Sequence, residues 1–254
     1  MTNDEAALPA RVELAWGLRD HGRRGPKPGL TLERIVAAGI EVARTDGIAA
    51  VSMARVAGEL GVGTMSLYRY VGAKDELISV MADTAFGAAD LGPDEAGPDE
   101  AGPDGWRAGL THWADGLRAS YRRNPWLLEV PVSATMLAPN TVSWMEAALR
   151  WMAGTPLPEQ QKLSTALLLS GFVRNEATLS IDIAGAASLE FGATLARLTD
   201  EVRFPALHRA IASGSLDDDD DLDDEFDFGL QCILDGVAAL IERHRPQQSR
   251  THRR

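Results

Sequence analysis

The chain reads as all-α, a small N-terminal helix-turn-helix unit joined to a larger C-terminal helical body. Three observations predict this class. Apolar residues recur at helical spacing along most of the 254 residues, and no strand-like alternation appears. Two short amphipathic segments meet at a glycine turn within Val51–Leu77. Charge is divided unevenly: ten Lys/Arg face six Asp/Glu from Arg11 to Lys74, but fifteen face twenty-seven from Met81 onward, within a net charge of −12. A basic reader carried by an acidic body predicts that division, and the acidic body would keep nonspecific DNA affinity low.

Residues 1–29 read as a flexible basic arm. Arg23, Arg24 and Lys27, among Gly and Pro, can track a minor groove or phosphates, and a solvated tail accounts for them equally well. Val12, Leu14, Ala15, Trp16 and Leu18 have the pattern of one or two helical turns, with Trp16 packing on the protein. Residues 30–80 form the reader. Thr31 caps a first helix that buries Leu32, Ile35, Val36, Gly39, Val42 and Ala43 and ends near Asp46-Gly47. Ser52 caps the second, with Met53, Val56, Ala57 and Leu60 inward. Gly61 supplies the left-handed turn residue, Val62 pins the turn, and a recognition helix is expected from about Gly63 to Tyr70 with Leu67 inward.

That helix leaves Thr64, Met65, Ser66, Arg69 and Tyr70 facing outward. Thr64 can hydrogen-bond base edges and Met65 can lie on a thymine methyl. Ser66, Tyr68 and Tyr70 can donate to phosphate, and Arg69 and Lys74 can supply charge. An ordinary helical hairpin with solvated Thr, Ser and Arg has the same spacing.

Leu32-Glu33-Arg34-Ile35-Val36-Ala37-Ala38, Asp46-Gly47-Ile48, Val51-Ser52-Met53, Val56-Ala57, Leu60-Gly61-Val62, Leu67-Tyr68-Arg69-Tyr70-Val71 and Lys74-Asp75-Glu76-Leu77 together resemble the TetR family of bacterial transcriptional regulators. The resemblance covers about residues 30–80. Beyond 105 it is looser, resting on helical content and the Asn124-Pro125-Trp126-Leu127-Leu128 start of a helix. It implies phosphate contacts by Ser52, Tyr68 and Lys74, with Tyr70 replacing a frequent His. It also implies base readout by Thr64 and Met65 beside Arg55. Gly63 departs from the polar residue that opens many such recognition helices, removing one base contact.

Residues 81–245 read as a regulatory and dimerisation domain. A fourth helix, about 75–91, ties it to the reader. Residues 92–105 repeat Gly-Pro-Asp-Glu-Ala and read as an acidic loop. Helices are then expected at about 106–123, 126–130, 140–153, 158–184, 187–199, 201–213 and 224–244, followed by a tail at 246–254. The segment 160–183 and the stripe Phe226, Leu230, Ile233, Leu234, Val237, Leu240 and Ile241 fit either intramolecular core or a four-helix dimer interface. The family resemblance favours the interface, and with it a homodimer. Trp113, Trp126, Trp144, Met145, Phe172 and Arg174 are candidates for lining a small-molecule cavity, and Arg174 requires a partner inside an apolar helix.

Little else carries chemistry. The run from Asp217 to Glu225 fails as a calcium loop, since its sixth and twelfth positions are Leu222 and Phe228, and it reads as a solvated acidic loop. His21, His112, His208, His244 and His252 lack metal-ligand spacing, and no nucleophile elbow, phosphate loop or dinucleotide fingerprint is present. No enzyme activity, cofactor or metal is expected. A lone Cys232 in apolar sequence reads as a buried thiol in a reducing compartment. The N-terminus lacks a signal-peptide pattern and the longest apolar run, 166–173, cannot span a bilayer, so a cytoplasmic protein is expected. The sum is a repressor on a pseudo-palindromic double-stranded operator, released by an unidentified small molecule. Its rivals are a helical ligand-binding protein or enzyme with a non-functional hairpin, and a constitutive DNA binder without effector.

Overall fold

A computed structural model describes residues 7–18, 30–90, 105–185, 191–214 and 222–245, with the side chains of 184, 185 and 222 excepted. The cationic stretch 23–29, most of the acidic loop at 92–105, Asp217–Asp221 and the 246–254 tail lie outside these residues. Every regular element among the described residues is helical.

Helix α1 (Ala10–Ala15) falls inside the segment expected to be a flexible arm. It is anchored, not free, because Leu14 is buried and the Trp16 indole N–H donates to the Leu137 carbonyl at 2.7 Å. Helix α2 (Leu32–Asp46) starts where Thr31 Oγ1 accepts the Arg34 amide and stops at Gly47, φ 82°. Helix α3 (Met53–Glu59) is capped by Ser52 Oγ, which accepts the Arg55 amide at 3.1 Å. Gly61 at φ 65° turns the chain into α4 (Thr64–Leu67). Helix α4 is shorter than expected, because the Tyr70 and Val71 amides both return to the Leu67 carbonyl and tighten the last turn.

Helix α5 (Lys74–Phe86) ends before the expected residue 91 because Gly87 adopts φ 73°, a left-handed stop. It packs closely on α2: a Cβ on Gly39 would lie 2.5 Å from Met81 Sδ. The body follows as α6 (Gly105–Arg123), a 3₁₀ turn at Pro125–Glu129, the short α7 (Val132–Thr135) and α8 (Pro139–Trp151). Then come α9 (Glu159–Gly185), α10 (Phe191–Leu198), α11 (Pro205–Ala212) and α12 (Leu222–His244). Proline at the first helical position starts α8 and α11 without forfeiting an amide bond.

Helix α9 turns Ala166, Leu169, Val173 and Ala177 inward; α12 turns Phe226, Leu230, Leu234, Val237 and Ile241. The two meet where Phe172 stacks on Phe226 at 5.5 Å and crosses Gly229. Cys232 is exposed, contrary to the sequence expectation, because it lies about half a turn from the inward row that contains Leu230 and Leu234. No helix among the described residues is long and apolar enough to cross a membrane.

Candidate DNA-reading surface and ligand cavity

The reader presents a small chemical surface on a rigid base. Leu67 is fully buried and anchors α4, while Met65 is 76% exposed and Tyr68 44%. Thr64 and Ser66 are partly exposed, and Arg69 and Lys74 are exposed. Ser52 uses its oxygen as a helix cap, which leaves its hydroxyl hydrogen free to donate. Two expected contacts are pre-empted. Tyr70 does not point its hydroxyl outward; it donates to the Leu30 carbonyl at 2.8 Å and ties the recognition turn to the start of α2. Arg55 is held by Asp46 at 3.0 Å and Glu59 at 2.6 Å, so reaching a base means exchanging both carboxylates.

Helix α5 connects this surface to the body, and its C-terminal end is gripped there. The carbonyls of Asp83, Ala85, Phe86 and Gly87 accept from Asn140 Nδ2, Asn124 Nδ2, Ser120 Oγ and Trp144 Nε1 respectively, at 2.9–3.1 Å. The last three are among the carbonyls that a helix end leaves without internal partners, whereas the Asp83 carbonyl also accepts the Gly87 amide at 3.1 Å. The exchange runs both ways. Helix α8 has Ala138 at its N-cap and no side-chain cap of its own. Buried Asp83 substitutes, its Oδ1 accepting the Asn140 and Thr141 amides at 3.0 and 3.2 Å. Burial raises the Asp83 pKa, and those two amides oppose the rise.

Beside this junction lies a cavity of about 360 Å³, within the range of small-molecule sites. Helix α5 contributes Ala82 and Phe86, α6 Trp113, Leu117 and Tyr121, and α8 Thr141, Trp144 and Met145. Phe86 meets Tyr121 edge-on at 5.4 Å and Trp144 at 6.1 Å; Trp113 meets Trp144 at 5.9 Å. Both cavity indoles spend their N–H on backbone, Trp113 on the Trp144 carbonyl and Trp144 on that of Gly87.

Four of the six residues expected to line a cavity do so: Trp113, Trp144, Met145 and Arg174. Trp126 and Phe172 are not in the wall. Trp126 is buried in the 3₁₀ turn, and Phe172 lies about half a turn from Arg174 and faces α12. The α9 wall at Leu163, Ala166, Leu167, Ser170 and Gly171 went unread in the sequence. Its signal was the three- and four-residue spacing that leads up to Arg174. Arg174 has found backbone partners, donating from Nη2 to the Leu128 and Val130 carbonyls at 2.6 and 3.2 Å. Among the described residues, no group of three His, Cys, Asp or Glu side chains could hold a metal ion.

Residues 35–81 match the profile described as bacterial regulatory proteins, tetR family, and residues 98–241 match the tetracyclin repressor-like C-terminal domain. The chain is 36% identical to the HTH-type transcriptional repressor DrrR1 of Streptomyces coeruleorubidus over 261 aligned positions, 98% of this chain and 92% of that protein. An HTH-type transcriptional regulator of Saccharopolyspora erythraea is 28% identical, covering 84% and 86%. Among solved structures, ActR of Streptomyces coelicolor in complex with actinorhodin superposes with a TM-score of 0.70 at 26% identity, covering 85% of this chain and 98% of that one. A second ActR complex, with (S)-DNPA, gives 0.68.

Proposed function

This chain belongs to the TetR family of bacterial regulatory proteins, and on that footing we propose that it is a ligand-responsive transcriptional repressor acting as a cytoplasmic homodimer, without catalytic activity. The observation that carries the proposal is that cavity and reader share α5. Ala82 and Phe86 are cavity wall, the carbonyls of Asp83, Phe86 and Gly87 are bonded to α6 and α8 and that of Ala85 to Asn124 just after α6, and Lys74 at the other end stands beside the recognition turn. A molecule that moves Trp144 or Phe86 therefore acts on the helix that orients the reader.

Dimerisation is supported by apolar side chains that α9 and α12 leave in solvent: Leu168 at 56%, Leu179 at 46% and Phe228 at 70% exposure. A two-fold dimer sets two recognition helices in successive major grooves about 34 Å apart, which calls for a pseudo-palindromic operator. A ligand lowers operator affinity only through its preference for the conformation with the wrong reader spacing, typically a 5- to 150-fold effect. ActR, with small molecules bound, is a precedent in a related chain.

The test is selection of bound sequences from a random duplex library, then titration at two salt concentrations. The expected result is an enriched pseudo-palindrome whose affinity falls roughly 10³- to 10⁵-fold between 50 and 200 mM salt, for about six to ten phosphate contacts. A folded, dimeric sample that enriches no sequence would sink the proposal.

A further inference from the structure

Helix α9 places one cation in an otherwise uncharged wall. Among the described residues lining the cavity, Arg174 alone carries a charge, and no ion pair joins it to a described carboxylate. Its contacts are neutral: the Leu128 and Val130 carbonyls, the Tyr121 hydroxyl at 3.5 Å, and the Tyr121 ring at 5.8 Å. The two carbonyls fix the guanidinium fork through Nη2, which leaves donors on Nε and Nη1 for a further acceptor. A partly buried cation in an apolar wall is costly until an anion pairs with it.

The remaining wall is uncharged: Phe86, Trp113, Tyr121 and Trp144 form an aromatic side, aliphatic side chains make up most of the rest, and the hydroxyls of Tyr121, Thr135, Thr141 and Ser170 are its polar groups. The Trp113 and Trp144 N–H groups are committed to carbonyls, so these rings offer faces and edges only. A cationic ligand would meet Arg174 and no carboxylate. We propose, resting on the reading of this cavity as the effector site, that the ligand is an aromatic anion. It is a planar ring system carrying one acidic oxygen group, carboxylate, sulfonate or ionised phenol, that pairs with Arg174 while Trp113, Trp144 and Phe86 enclose its rings.

The test uses two fluorescent probes that share a ring system and differ in one charge, 8-anilinonaphthalene-1-sulfonate and neutral N-phenyl-1-naphthylamine. Both are titrated against the full-length protein at pH 7. The wild type should prefer the sulfonate by roughly 10- to 100-fold, the value of a charge-assisted bond. Arg174→Gln should erase that preference and leave the neutral probe within about twofold. Because Arg174 also holds two carbonyls, Ser170→Glu provides a second variant. It sets a carboxylate four residues before Arg174 on the same helix face, neutralising the cation without removing it, and should erase the preference as well. Equal binding of the two probes to wild type, or parallel loss of both in a variant that melts normally, would overturn the proposal. Sulfonate preference without any change in operator affinity would uphold the anion seat and count against the effector reading alone.

Discussion

Asp83→Ala and Asp83→Asn separate two roles of one buried carboxylate. Asp83 Oδ1 is the acceptor for the Asn140 and Thr141 amides, in a helix whose own N-cap is alanine. Alanine leaves both amides without an acceptor, at about 1–3 kcal/mol each. Relief of the buried charge returns part of this, for a net loss of about 2–4 kcal/mol. For a chain of this size that is a fall in melting temperature of roughly 5–15 °C. Asparagine keeps an acceptor oxygen and carries no charge, so it should cost far less. Its effect must also depend on pH. Burial raises the native Asp83 pKa above its unfolded value, so the folded chain binds that proton more readily. The carboxyl's contribution to stability is then fully present below the unfolded value, near 4, and is lost as pH rises through the native value. Asparagine does not titrate. Asp83→Asn should therefore gain on wild type as pH increases through that window and hold a constant gap above it. Thermal melts at fixed protein concentration across pH 4–8 provide the measurement. An alanine variant melting within 2 °C of wild type would refute the capping argument, and an asparagine gap indifferent to pH would refute the rise of the Asp83 pKa on burial.

Three further outcomes can be checked. Gly109→Ala places a Cβ 2.0 Å from Trp151 Cδ2 and should cost at least about 1–3 kcal/mol by overpacking, read as a lower urea midpoint. Lys74→Ala should weaken all DNA sequences alike and reduce the salt slope by about one, whereas Met65→Ala should relax preference at one base position; both side chains are exposed, so the melts should not move. Trp16→Phe removes the bond to the Leu137 carbonyl and should speed hydrogen exchange at 133–138 while costing under about 1 kcal/mol globally.

What sequence made legible was local. Thr31, Ser52 and Gly61 act within three or four residues of themselves, so their capping and turning follow from composition alone. The recognition helix is shorter than its spacing suggests because its end is set by Val71 in the core and by Tyr70 bonding the Leu30 carbonyl just before α2. The fourth helix stops at Phe86 and not near residue 91, for Ala88 and Ala89 favour helix but Gly87 adopts the left-handed conformation that ends it. The cavity was half legible. Trp113, Trp144 and Arg174 stood out as large or charged residues, but a 3.6-residue period does not say which neighbour a face meets. Phe172 therefore proved to face α12, and the small residues of α9 that give the cavity its room carried no chemical signal. Asp83 leaves no local trace of its role, because its partners are 57 and 58 residues away.

The way the body grips α5 divides the cavity wall into two kinds of position for anyone retuning this protein as a biosensor. Trp144 and Phe86 serve twice: the first donates to the Gly87 carbonyl, and the second offers its own carbonyl to Ser120 while its ring packs in the wall. Substituting Trp144 changes what the cavity admits and, in the same stroke, slackens the body's hold on α5, the linkage proposed above to report occupancy. Met145, Leu163 and Leu167 line the same space from α8 and α9 without any bond to α5. Libraries confined to those three can change the choice of inducer with the transmission intact. Libraries that include Trp144 will yield binders that have gone silent.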